Sequence, residues 1–321
     1  MRLGFALLLF LAASVSIAQG PYPAKPVRII VTFTPGGAAD FTARLVADKW
    51  SELWQQQVVV ENRIGAGGNI GAEAVYKAPA DGYTLLLVAS AHAFNAALYP
   101  KLPFDIVKDF VPLGIATSTP MALAVNPRMA VADLKQFTAL LQAKSHQIQY
   151  ATCGVATAHH FAMELYKYQT KTDAVHVPYR GCGPAVVDAV GGQIDVVMSS
   201  LTTVLPHAKV GKLRTLAITS ENRSASASEI PTFRESGVPT LKDYAVEVYY
   251  GLMARAGTPP DIIARLEGDL RKVIGMPDFA QRISTAGIDM FPKSAAEMGA
   301  IMSADVARFR DVIREAGIRP E

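Results

Sequence analysis

Short apolar runs recur along the chain and alternate with longer segments in which apolar residues return every three or four positions. Residues 27–31, 58–60 and 85–88 read as buried strands, each closed by a Gly- or Ser-containing turn. Helical patterns follow them, among them 41–53 and 72–77. A second series of strands is expected at 148–151, 175–177, 194–198 and 213–218, with helices such as 158–168 and 184–190 between them. Regular strand–helix alternation predicts an α/β chain with two parallel, doubly wound sheets. The uncharged run 121–125 and the run 246–252 are expected to be two crossing strands, and the final helices, 261–274 and 295–315, are assigned to the first unit. The expected organisation is a first α/β lobe of 22–123 and 246–321, a second of 124–245, and a cleft between them. Ligands of such sheets bind beyond the carboxyl ends of the strands, so the loops after strands carry the candidate site.

The N-terminus changes the picture, because its pattern predicts export from the cytoplasm. Arg2 precedes the apolar run 4–13, and Ser16 and Ala18 stand at the spacing of a cleavage site before Gln19. This predicts a signal peptide of 1–18 and an exported, periplasmic protein. The run is too short to span a bilayer stably, and no cysteine follows it to carry a lipid anchor. The 321 residues, half of them hydrophobic and 18% charged, suffice for one large core or two modest ones. A net charge of +3 without a basic block argues against nucleic acid or an anionic membrane as partner, and fits a small anionic ligand. Two cysteines, Cys153 and Cys182, follow strands expected in one sheet, and an exported chain keeps disulfides. They are expected to pair.

The richest local feature is Pro35-Gly36-Gly37-Ala38-Ala39-Asp40, between the first strand and its helix. A glycine turn entering a helix N-terminus presents free backbone N–H groups and a positive dipole end, which together suit a carboxylate or phosphate. Asp40 itself reads as a stabiliser of that terminus. A second cluster, Gly65-Ala66-Gly67-Gly68-Asn69-Ile70-Gly71, resembles a dinucleotide fingerprint only loosely, because its third glycine position is Ile70. It reads as a turn needing positive φ, and no cofactor is expected. The adjacent His159 and His160 would point to different faces of a helix, so no metal site is expected. Nucleophile–base pairings of Cys153 with His159, or of Ser199 with His176, lack an orienting carboxylate, and no Gly-x-Ser-x-Gly elbow is present. A non-enzyme is expected; a secreted hydrolase is the lesser alternative.

Several blocks in order resemble the Bug-type solute receptors of tripartite tricarboxylate transporters. They are Tyr22-Pro23-Ala24-Lys25-Pro26-Val27-Arg28, Pro35-Gly36-Gly37 with Asp40, Val60-Glu61-Asn62-Arg63, the cluster Gly65 to Gly71, Asp81-Gly82-Tyr83-Thr84-Leu85, Asp105 with Asp109-Phe110-Val111-Pro112, His159 within 154–161, His176-Val177-Pro178-Tyr179-Arg180-Gly181, Gly211-Lys212-Leu213-Arg214, Pro231-Thr232-Phe233 and Gly257-Thr258-Pro259. The resemblance implies a two-lobed periplasmic binding protein of type II architecture that holds a carboxylate-bearing solute and hands it to membrane permease subunits. A kinase-coupled sensor is the alternative, and a monomer is expected. One ligand carboxylate would rest on the backbone of Thr34, Pro35, Gly36, Gly37, Ala38 and Ala39, with ordered waters. Ser90 and His92 would join from the next loop. The other lobe would offer Thr152, Cys153, Gly154, Thr157 and His159, then Arg180, Gly181 and Cys182, then Ser199 and Ser200. Tyr249 would line the cleft from the crossing strand, where relatives often carry Trp. Ser90, Thr152 and Thr157 also suit helix capping, and Arg180 also suits an ion pair. The chain departs from the family pattern at Ser199-Ser200, where many relatives carry an acid, and at Ala156 and Thr157, where they usually carry Gly and Ser. Without that acid an ammonium group lacks a counter-charge, so a dicarboxylate or aromatic carboxylate without an amine is expected.

Overall fold

A computed structural model describes residues 22–99, 101–144, 147–155 and 157–316. The expected signal peptide and Ala156 lie outside them. In chain order the elements are β1 (Val27–Val31), α1 (Ala38–Trp54), β2 (Val58–Asn62), α2 (Asn69–Tyr76), β3 (Thr84–Ala89), α3 (Ser90–Leu98), β4 (Phe110–Thr119), β5 (Met121–Val125), α4 (Leu134–Ala143), β6 (Gln149–Thr152) and α5 (Ala158–Thr170). They continue with β7 (Val175–Pro178), α6 (Cys182–Gly191), β8 (Val196–Ser200), α7 (Leu201–Lys209), β9 (Arg214–Ile218), β10 (Val248–Arg255), α8 (Pro260–Ile274), α9 (Pro277–Thr285), β11 (Asp289–Lys293) and α10 (Ala295–Ala316). One sheet has the order β11-β4-β10-β3-β1-β2 and the other β7-β6-β8-β5-β9.

The apolar runs behave as buried strands because both faces of each sheet are covered. In β1, Val27, Ile29 and Val31 pack into the core containing α1 and α8, whereas Ile30 packs into the opposite core. Along α1, Ala39, Thr42, Ala43, Val46, Trp50 and Trp54 form one buried stripe at helical spacing. The Trp54 indole donates to Asp269 of α8 at 2.7 Å, fixing one helix against the other.

The sheets are mixed, not parallel as expected. β10 runs antiparallel between β3 and β4, and β5 runs antiparallel to both β8 and β9. β4 and β11 were not anticipated. The run 121–125 is β5, which belongs wholly to the second sheet and spans the expected 123/124 division; the first connection between the sheets is at Pro120. Proline lacks the N–H that a ladder needs, and so marks the change of sheet. The second connection leaves β9 and enters β10. Among the final helices, α8 packs on α1 and β4, but α10 reaches across to the second sheet's α5 as well as α3 and β4. Phe309 of α10 meets Phe161 of α5 at a ring-centroid distance of 4.1 Å and Phe94 of α3 at 5.6 Å.

Strand register decides where the loops gather. Met121 lies opposite Ser200 at the end of β8, and Thr119 lies opposite Val248, with Tyr250 opposite Ala89 at the end of β3. The carboxyl ends of the parallel strands in both sheets therefore meet at Pro120, whose carbonyl accepts from the first amide of α7 at 2.9 Å.

Candidate ligand-binding site

The turn from β1 into α1 is built around Asp40. Its carboxylate accepts four hydrogen bonds: from Gly36 N–H at 3.0 Å, from Arg44 Nε and Nη2 at 2.9 Å each, and from Asn62 Nδ2 at 2.9 Å. Asp40 is buried, and the Arg44 and Gly36 bonds outweigh the opposing effect of desolvation, so its pKa lies below the ordinary carboxylate value. Asp40 stands in the first turn of α1, and its hydrogen bonds hold the loop's shape. Gly36 has φ +84°, a left-handed conformation that favours glycine. Its N–H is engaged by Asp40, so Gly36 shapes the turn without offering its own donor. The amides of Gly37, Ala38 and Ala39 have no intramolecular acceptor among the described residues. Thr34, Pro35, Gly36 and Gly37 are exposed, which leaves this helix entrance open to solvent.

At the end of β3, Ser90 is buried and its hydroxyl has no partner among the described residues. His92 has a different task from the one expected. Its Nδ1 accepts from Ala89 N–H at 3.1 Å and its Nε2 faces Thr32 Oγ1 at 3.3 Å, with Gly68 also in contact. Burial pushes the His92 pKa down to about 4, so the ring is neutral and acts as a structural tie. Asn95 adds to that tie by donating to Gly67 O at 2.6 Å. The glycines at 67 and 68 do adopt positive φ, as the turn reading required. Thr32 and Asn95, missed from sequence, thus fix the second glycine turn beside the first.

The second sheet gathers the remaining candidates where β6, β7 and β8 each enter a helix. Cys153 and Cys182 form a disulfide with Cα atoms 4.2 Å apart, and Gly181 N–H donates to Cys153 O at 3.1 Å. Thr157 caps α5 by accepting from His160 N–H at 3.3 Å, while its own hydroxyl donates to Gly154 O at 2.9 Å. His159 Nε2 lies 3.0 Å from Ser200 Oγ and 3.7 Å from Cys182 Sγ, and its Nδ1 is buried without a partner among the described residues. Burial pushes the His159 pKa down to about 4, so it enters the site as a neutral ring. Arg180 is exposed, and no carboxylate of the described residues pairs with it.

Two expected contacts are turned inward. Thr152 is fully buried with Oγ1 2.6 Å from His176 Nε2, and Ser199 is fully buried with Oγ 3.8 Å from Cys153 Sγ. Ser200, at the strand's end, is the more accessible hydroxyl. Tyr249 is 1% exposed, with its hydroxyl beside the Asp305 carboxylate of α10. Tyr250 packs in the other core, with Ala39 and Ala89. The two nucleophile–base pairings considered from sequence do not form: Cys153 is in the disulfide, and His176 is stacked on His160 at 3.9 Å and bonded to Thr152. The cluster Cys153, His159 and Cys182 has metal-ligand spacing, but both sulfurs are oxidised.

The fold is that of known solute receptors. The family model described as the tripartite tricarboxylate transporter family receptor, TctC, matches residues 42–318. The chain belongs to this family. The Bordetella pertussis protein BugT is 32% identical over 305 residues, covering 94% of this chain and 93% of BugT. An adipate-bound structure from R. palustris is 30% identical with TM-score 0.78, covering 94% of this chain and all of that one. MatC from Rhodopseudomonas palustris, with bound malate, is 28% identical with TM-score 0.74, covering 91% of this chain and all of MatC. The family consists of solute receptors and not of enzymes.

Proposed function

We propose that this TctC-family receptor is exported to the periplasm, binds a dicarboxylate or aromatic carboxylate between the loops of its two sheets, and delivers it to the permease subunits of a tripartite tricarboxylate transporter. The observation that supports the reading is that strand ends of both sheets adjoin Pro120. The loops after the first sheet's strands carry amides at Gly37, Ala38 and Ala39, and those of the second carry Ser200, His159 and the Arg180 fork, the amides without an intramolecular acceptor and Arg180 without a carboxylate partner among the described residues. Amide N–H, hydroxyl and guanidinium groups donate to carboxylate oxygens, and charge-assisted bonds of this kind are the stronger ones. The one carboxylate at the glycine loop, Asp40, is saturated by its four internal donors. A ligand ammonium would therefore be desolvated without a counter-charge there, which disfavours amino acids. Adipate and malate, held by two relatives, belong to the chemical class this arrangement suits.

The test is a thermal-shift and calorimetry panel of mono-, di-, tri- and aromatic carboxylates against aspartate and glutamate. A diacid or aromatic acid is expected to raise Tm by several degrees and to be recovered unchanged, with the amino acids silent. Micromolar binding of aspartate or glutamate with the other acids silent would overturn the ligand class. Crosslinking of the loaded protein in membranes should capture permease subunits; capture of a sensor kinase instead would overturn the transport partner.

A further inference from the structure

Beside the second connection between the sheets lies a cavity of about 400 Å3, separate from the loops of the carboxylate site. Its size is within the range of small-molecule sites. Glu247 forms its wall from that connection, Tyr249 from β10, Phe291 and Lys293 from β11, and Asp305 and Arg308 from α10. Two polar atoms on these walls, Glu247 Oε2 and the Tyr249 hydroxyl, are shielded from solvent and make no well-formed hydrogen bond among the described residues, with Ser118 beside the Glu247 carboxylate and Asp305 beside the Tyr249 hydroxyl. Tyr249 is 1% exposed, so neither conformational freedom nor bulk water readily satisfies its hydroxyl. Folded proteins rarely leave such atoms without a well-formed bond, and two on one cavity point to a place for a guest.

The charges indicate which guest. Four carboxylates and two cations line the cavity. Glu221 pairs with Arg234 at 2.7 Å, Asp305 with Arg308 at 2.8 Å, and Glu297 accepts from Ser294 at 2.7 Å. Glu247 has no cation at ion-pair distance among the described residues, and Lys293 Nζ rests 4.9 Å from the Phe291 ring centroid. An ionised carboxylate is an acceptor only, so the guest must donate, and the excess of acids repels anions. The acids do not converge as metal ligands: the described residues hold one cluster of that spacing, at Cys153, His159 and Cys182. An ammonium group supplies several donors without requiring that convergence, and a short hydrocarbon body fits against Phe291 and Ile301.

We propose that this cavity is a second binding site, specific for a small primary amine and separate from the carboxylate site. Glu247 receives the ammonium through Oε2 while Oε1 accepts from Glu221 N–H at 3.2 Å, so the guest engages the segment that joins the sheets. The test is calorimetry on the full mature chain at pH 8 with propylamine and putrescine, using 1-propanol and succinate as controls. Saturable binding of an amine, silence of propanol, and no competition by adipate are expected. Glu247→Gln should weaken the amine at least tenfold, Tyr249→Phe severalfold, and the exposed Glu52→Gln not at all. Absence of saturable amine binding, an equal response to propanol, or competition by adipate would overturn the assignment. Where Glu247→Gln fails to fold, Tyr249→Phe with unchanged amine affinity would overturn it as well.

Discussion

Replacing Gly37 by proline tests the backbone anion site without disturbing what holds the loop together. Gly37 has φ −81°, close to the angle that proline imposes, and a Cβ there comes no nearer than 3.7 Å to Thr34 O. Its N–H has no intramolecular acceptor among the described residues, so the substitution removes no internal hydrogen bond. Stability should change by less than about 1 kcal/mol, since a compatible proline mainly restricts the unfolded chain. If that amide donates to a ligand carboxylate, the loss is one charge-assisted hydrogen bond, about 1.5–3 kcal/mol. This corresponds to a roughly 10- to 150-fold increase in Kd. Gly36→Ala is the complementary control: φ +84° makes an L side chain strained by about 1–2 kcal/mol, whereas the N–H remains with Asp40. Calorimetry with adipate, paired with thermal unfolding, should find Gly37→Pro folded and weak-binding, and Gly36→Ala destabilised with less effect on affinity. Unchanged affinity in a normally folded Gly37→Pro protein would refute the amide assignment.

Reducing the Cys153–Cys182 bridge, whose partners are 29 residues apart, should cost about 3–4 kcal/mol in denaturant unfolding; two thiols titrating in the unreduced protein would contradict the bridge. Arg180→Lys should weaken a diacid by about tenfold through loss of the bidentate fork. Because Arg180 is exposed and unpaired among the described residues, its Tm should stay within about 2 °C; a large fall in Tm with unchanged Kd would make it structural instead. Burial raises the Glu247 pKa to about 7, above its value in an unfolded chain, so the folded state binds the extra proton and stability from this group falls as pH rises from about 4.5 to 7. Its contribution is up to about 3 kcal/mol. The buried His92, His159 and His160, each pushed down to about 4, act in the opposite sense as pH rises toward 6.5, so the observable is the difference between wild type and Glu247→Gln. Parallel stability–pH curves for the two proteins would refute the Glu247 contribution.

Features fixed by neighbours in sequence were legible in it. The turn from β1 into α1 could be read because the strand, the glycines and the helix are contiguous, and a free helix entrance is a property of the local backbone. The pairing of Cys153 with Cys182 followed from strands whose loops share one edge, and the family from ordered blocks spread along the chain. β4 was obscured by Pro112 and Gly114 within its span, and β11 by Pro292; their pairing with neighbouring strands overrides weak local signals. His92 and Tyr249 show a different limit. Residue type made each a plausible ligand contact, but the partner of His92 is Thr32, 60 residues away, and strand alternation sends Tyr249 and Tyr250 to opposite faces without saying which face meets the cleft. Sequence determined the donors this chain carries and the turns that expose them. Only the packed sheets, meeting at Pro120, decided which donors remain open and which are engaged within the fold, because that depends on contacts between residues far apart along the chain.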